Sequence, residues 1–285
     1  MEIKNILWLT DFNPLSNYAF EWAKFFSFNF RAKLYAVHVI PEKRISVLEK
    51  KEEILNMFNL IEGEERKKAE MDFEIKKKEI GKKIEFETHL LKGEIVDKII
   101  EFINEKDIDF LIMGASNKRE KLKVGTTAYR ILTNVRIPVM VIKEKRDVKI
   151  SKILVPIDFS KLSFKALEYA VFLADIFGSE IHLLHVIEIL ESIGLKEVEE
   201  RLIEDTKEIL NKESEKFKGK YRIFVNAMKR DSAEVGIFEF AQEKGIDLIC
   251  MATRGRKGLS HFFLGSTLDK VLKLTDIPVL AFNPV

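Results

Sequence analysis

The chain has one cysteine, two tryptophans and six prolines in 285 residues, and these scarcities exclude several classes of protein. A single thiol cannot close an intramolecular disulfide, so this is not a small disulfide-stapled scaffold. Cys250 lies in the apolar run Ile246–Met251, where a core role fits better than a reactive one. No His or Cys arrangement has the spacing of a metal site. No apolar stretch approaches the roughly 20 residues of a membrane span, and Met1-Glu2-Ile3-Lys4 leads into a strand pattern without the apolar region of a signal peptide. Neither sign of charge dominates. With 48 basic and 46 acidic side chains, the composition argues against a chain that coats nucleic acid or an anionic membrane. A cytoplasmic protein is expected, long enough for two domains and, at 46% hydrophobic residues, able to bury two cores.

The chain repeats itself. Ile6–Phe12 aligns with Ile153–Phe159, and His38-Val39 aligns with His185-Val186 at the same offset. Glu105–Asp109 aligns with Glu243–Asp247, and Ile137-Pro138-Val139 with Ile277-Pro278-Val279. Offsets this stable across separate landmarks mean two copies of one domain, expected at 1–146 and 147–285 and joined in the charged stretch Lys143–Lys149. Each copy opens on a strand, at 4–10 and 151–157, followed by a helix with an apolar stripe: Leu15, Tyr18, Trp22, Phe25 and Phe26 in the first, Leu162, Ala166, Ala170, Leu173 and Phe177 in the second. Second strands are expected at 34–40 and 181–187, third strands at 84–89 and 221–227, fourth strands at 109–113 and 247–251, and fifth strands at 139–142 and 279–282. The Lys- and Glu-rich stretches 42–83 and 188–219 read as solvated helix faces. Near-continuous apolar strands alternating with helices imply a parallel sheet covered on both faces, with ligands beyond the carboxyl ends of the strands.

The most informative stretch is Cys250–Lys270. An apolar strand stops at Ala252-Thr253-Arg254-Gly255, and nine residues later Gly265-Ser266-Thr267 opens a segment with Leu268, Val271, Leu272 and Leu274 in helical spacing. A helix that starts there presents unpaired N–H groups and the positive end of its dipole, and Gly265 lacks a Cβ that would hold an anion off. That describes a phosphate site; a simple N-cap and turn would explain the same residues. Ala252-x-x-Gly255, nine residues, Gly265-Ser266 resembles the nucleotide loop of the universal stress protein family, Gly-x-x-Gly-x9-Gly-Ser/Thr, with Ala252 in place of the first glycine.

The resemblance implies two tandem Rossmann-like domains of the adenine nucleotide α-hydrolase type, each an open five-stranded parallel sheet of order 3-2-1-4-5. It implies ATP, or ADP or AMP, with or without Mg, as ligand. Asp158 would lie near the nucleoside, Pro156 and Val186 along the adenine, the latter through its backbone, and Met251, Ala252 and Gly255 along the ribose and first phosphates. Gly265, Ser266 and Thr267 would grip the phosphates. Arg254, Arg256 and Lys257 either add charge there or are simply solvated, and Asp158 has the alternative role of tying down the turn after its strand. His38 and His185 are read as structural. In the first copy Asp11, Val39 and Gly114 are retained, but Asn117 replaces the second loop glycine and only seven residues separate it from Gly125-Thr126-Thr127. The nucleotide is therefore expected in the second copy alone, with the first as its partner through the fifth strands; a homodimer of chains and a protein partner are further expectations. A slow ATPase and a nucleotide-free interaction module are the alternatives. No Gly-Lys-Ser/Thr phosphate loop and no base to activate water is apparent.

Overall fold

The computed structural model describes residues 1–42, 52–115, 126–188, 196–217, 219–253 and 264–282. They form two compact units, Glu2–Gly114 and Ala115–Val285, the latter including Met1.

In Glu2–Gly114 the elements follow as β1 (Asn5–Leu9), α1 (Pro14–Phe30), β2 (Lys33–Pro41), α2 (Glu52–Ile80), β3 (Phe86–Gly93), α3 (Ile95–Glu105) and β4 (Phe110–Gly114). The strands are parallel, in the order β3-β2-β1-β4. Ile6, Leu7 and Trp8 on β1, Leu34, Ala36 and Val37 on β2, and Phe110, Leu111 and Ile112 on β4 are all fully buried, so both faces of the central strands are covered. Helix α1 starts where Asn13 accepts from Ser16 N, with Pro14 in the first turn, and stops where Arg31 adopts a left-handed φ of 53°. It buries Ala19, Phe20, Trp22, Ala23 and Phe26. The expected stripe is thus turned by part of a turn, with Leu15 half-buried at its edge. Seven aromatics among its 17 residues, spread around the helix, blur the periodicity that would set its phase.

In Ala115–Val285 the elements are α4 (Thr126–Asn134), β5 (Val139–Ile142), β6 (Lys152–Pro156), α5 (Lys161–Phe177), β7 (Glu180–Glu188), α6 (Lys196–Ser214), β8 (Ile223–Arg230), α7 (Ala233–Lys244), β9 (Leu248–Ala252), α8 (Ser266–Leu274) and β10 (Val279–Phe282). Their sheet runs β5-β10-β9-β6-β7-β8. β6 to β10 are mutually parallel where they pair, and β5 joins antiparallel with Leu280 opposite Met140, so the fifth strands of the two copies are partners. Lys143, just after β5, donates to the carbonyls of Leu272 and Thr275 and so satisfies the open end of α8. Burial lowers the pKa of this lysine. Helix α5 is capped by Ser160, whose side chain accepts from Ser163 N, and ends at Gly178 with φ 67°.

The third strands differ most from the sequence reading, which set them at 84–89 and 221–227: they begin at Phe86 and Ile223 and run on to Gly93 and Arg230. Both copies extend these strands as one pairing, β2 with β3 and β7 with β8, in which the partner strand supplies what the local apolar pattern lacks. Cys250 is fully buried, its thiol directed at the Ala166 carbonyl, and desolvation pushes its pKa up.

Candidate functional site

β6 and β9 are neighbours, and at their carboxyl ends the connections leave in opposite directions, β7 lying beyond β6 and β10 beyond β9. Open α/β sheets place ligands at such a point. Here the ladder stops early. β6 pairs with β9 at Ile153↔Leu248 and Leu154↔Ile249 only, leaving Val155-Pro156 unpaired with Cys250-Met251, the residues that the register would set opposite them. The corresponding ladder of the first copy runs on to the end of β1, Leu9↔Met113. Pro156 occupies the position of Leu9 and has no N–H to give, which ends a ladder.

Beyond β6, Asp158 is half-buried and its Oδ1 accepts from Ser160 N at 3.0 Å. The turn-stabilising role is therefore real. Phe159 follows with φ 62°, a conformation that costs a bulky side chain on the order of 1–3 kcal/mol. It is held by its ring, 4.6 Å from that of His185, whose Nδ1 lies 2.6 Å from the Ile157 carbonyl. The first copy repeats the device: Phe12 at φ 57°, Asp11 Oδ1 accepting from Asn13 N, and His38 Nδ1 at 2.8 Å from the Thr10 carbonyl. In each copy the histidine thus ties the second strand to the backbone just past the first.

Val186 is buried, and its two methyls pack so closely on α7 that a Cβ on Gly236 would meet them at 2.8 Å. Its side chain is thus engaged with α7, while β6 covers β7 only as far as Leu184. Met251 is buried and Ala252 half-buried. The next residue, Thr253, closes the base of the loop: its N–H donates to the Phe282 carbonyl at 2.8 Å, and its own carbonyl accepts from Gly265 N at 2.7 Å. Thr253 Oγ1 is buried without a hydrogen-bond partner among the described residues. Gly255, Arg254, Arg256 and Lys257 lie outside the described residues.

Helix α8 begins at Ser266, with Gly265 as its N-cap and no side-chain bond to its first turn. Ser266 therefore sits inside the helix, exposed, with Thr267 half-buried behind it, and the simple capping explanation does not apply to it. Gly265 has φ −57°, which any residue can adopt, so the torsion does not require glycine there. The helix is anchored to α7 by Lys270 and Glu234, 2.6 Å apart. Burial raises the Glu234 pKa, but the bond and charge of Lys270, together with hydrogen bonds from the Glu234 main chain and Ser232, turn the net direction down; the Lys270 bond likewise raises Lys270. No group of His, Cys, Asp and Glu among the described residues could hold a metal. A shallow concavity of about 490 Å³ lined by Ser27, Phe28, Arg31 and Glu85 lies at the amino ends of β2 and β3, the wrong end of the sheet for this chemistry.

The sequence profile of the universal stress protein family matches residues 2–143 and again 149–283. The chain belongs to the universal stress protein family. Among curated members, one from Methanocaldococcus jannaschii is 31% identical over 136 residues, which are 45% of this chain and 79% of that protein. YxiE of Bacillus subtilis is 35% identical over 150 residues, 46% of this chain and 97% of that one. A solved universal stress protein from Archaeoglobus fulgidus has the same fold, with a TM-score of 0.73 at 22% identity over 99% of this chain and 97% of that one. No described helix is long and apolar enough to cross a membrane.

Sequence reading missed three features of the site: the early end of the β6–β9 ladder, the left-handed Phe159 and the pinning of Gly265 to Thr253. Only the first left a signal, the exchange of Leu9 for Pro156 between copies.

Proposed function

We propose that this universal stress protein is a regulatory binding protein that holds an adenine nucleotide, ATP or its diphosphate or monophosphate, in its second copy, 147–285, with 1–146 as the partner domain. The observation that carries the reading is the uncapped first turn of α8. Its N–H groups follow a glycine that the torsion does not need, and that glycine is pinned to the end of β9 beside the opened β6–β9 crevice. Backbone donors at a helix start, with the dipole behind them, suit phosphate oxygens. In this reading Gly265, Ser266 and Thr267 grip the phosphates, Ala252 and Gly255 flank them, and Pro156 and the Val186 backbone border the base. Asp158, whose Oδ1 orders the turn beyond β6, takes a positioning role beside the ribose.

The first copy supports the asymmetry. Gly114 stands where Ala252 does, and a Cβ there would meet the Leu15 carbonyl carbon at 2.5 Å and Ser16 N at 2.6 Å. Trp8 Nε1 donates to the Ser16 carbonyl at 2.8 Å, and its ring packs 4.5 Å from Phe20. The start of α1 is thereby drawn onto the strand ends that a ligand would need.

Binding groups without an activated nucleophile hold a ground state and do not accelerate its reaction. Protein purified without added ligand is expected to release adenine nucleotide on denaturation, identified by chromatography, and bound ATP is expected to persist over hours. Several turnovers per second, abolished by Asp158→Ala, would make the chain an ATPase. Absence of any nucleotide affinity would leave an interaction module. The same reading places the chain in the cytoplasm, where ATP is abundant.

A further inference from the structure

Helix α2 turns a second apolar stripe away from its own core. Its inner side buries Ala69, Phe73 and Ile80, yet Met57, Leu60, Met71 and Ile75 are 61, 70, 67 and 58% exposed. At 3.6 residues per turn these four fall within an arc of about 60°, opposite the buried side and spread along roughly 27 Å of helix. Four exposed large apolar residues on one line are more than scattered surface hydrophobicity. Between the two apolar pairs the same face carries Glu64, Lys67 and Lys68, all exposed, and no hydrogen bond or ion pair engages them among the described residues.

The order of these residues is symmetric about position 66. We propose that this face binds a second copy of the chain, α2 against α2, antiparallel about a twofold axis near Arg66. In that register Met57 meets Ile75 of the partner copy, Leu60 meets Met71, and Glu64 meets Lys67 and Lys68, each contact occurring twice. A twofold contact requires self-complementarity of this kind, apolar against apolar and acid against base. The corresponding helix α6 lacks it: its exposed Val198, Leu202 and Ile209 also share one face, but the same construction sets Leu202 against Asp205. The charges fix direction as well, because a parallel pairing would set Glu64 beside Glu64 and Lys68 beside Lys68.

Sedimentation equilibrium of the full chain over a range of about 1 to 200 µM tests this. The wild type is expected to associate to a dimer. Leu60→Lys is expected to weaken association at least about tenfold, and Glu64→Lys to do the same by placing like charges opposite one another. The triple variant Glu64→Lys, Lys67→Glu, Lys68→Glu restores the complementarity with reversed signs and is expected to return to within about threefold of the wild type. All the positions face solvent, and circular dichroism checks the fold. A wild-type chain that stays monomeric overturns the proposal, whether the stripe is left bare or is taken by anionic phosphatidylglycerol vesicles or another protein. A dimer indifferent to Leu60→Lys, or one not restored by the triple exchange, overturns it equally.

Discussion

Gly265→Val is expected to weaken ATP binding by at least about tenfold, since each hydrogen bond to a charged oxygen that is lost is worth about 1.5–3 kcal/mol. The effect is local. Gly265 is the N-cap of α8, its N–H is committed to the Thr253 carbonyl, and its φ of −57° suits valine as well as glycine. Fold stability is therefore expected to change little, and the branched side chain acts by keeping phosphate oxygens from the N–H groups of Ser266 and Thr267. Gly125→Val, at the matching place in the first copy and outside the described residues, is expected to leave affinity nearly unchanged. Calorimetric titration of each variant, with circular dichroism to confirm folding, checks both; loss of affinity from the Gly125 change alone would reverse the assignment of the two copies.

The largest expected effect on stability is at Gly114. An added methyl would stand 2.5 to 2.7 Å from main-chain atoms of Leu15 and Ser16, and backbone cannot swing aside as a long side chain can. Ser16 is further held by Trp8 Nε1 and by the Asn13 cap. Gly114→Ala is expected to cost about 3 kcal/mol, the upper part of the range for overpacking, and to lower the melting midpoint on the order of 10 °C. Trp8 and Trp22 are the two tryptophans of the chain, and both are buried in this unit. Denaturant unfolding followed by their fluorescence therefore reports on it directly. A change below about 0.5 kcal/mol, the scale of an ordinary surface substitution, would show that α1 yields easily.

The second copy carries alanine at this place, so the duplicated sequence itself hinted at different packing behind the two loops. Other features of the fold were just as legible. The fifth strands appear where Val139–Ile142 and Val279–Phe282 follow an Ile-Pro pair, because a short apolar run bounded by proline acts locally. The phase of α1 was not legible, since Phe20 and Trp22 are as apolar as their neighbours and tertiary contacts decide which go inward. At the site, the strand–loop–helix order and Gly265 could be read from spacing. The pinning of Gly265 by Thr253 could not, because it joins residues across a loop. Nor could the left-handed Phe159, which a bulky residue adopts only when Asp158, Ser160 and His185 hold the turn around it. Pro156 could be read as a strand end, but its consequence for the β6–β9 ladder needed the register.

The central claim is that the duplicated chain keeps one nucleotide site, in its second copy. Calorimetric titration of nucleotide-stripped protein with ATP tests it most directly. One site per chain, lost in Gly265→Val and kept in Gly125→Val, is the predicted result. Two equivalent sites per chain, or one that survives Gly265→Val unchanged, would contradict it.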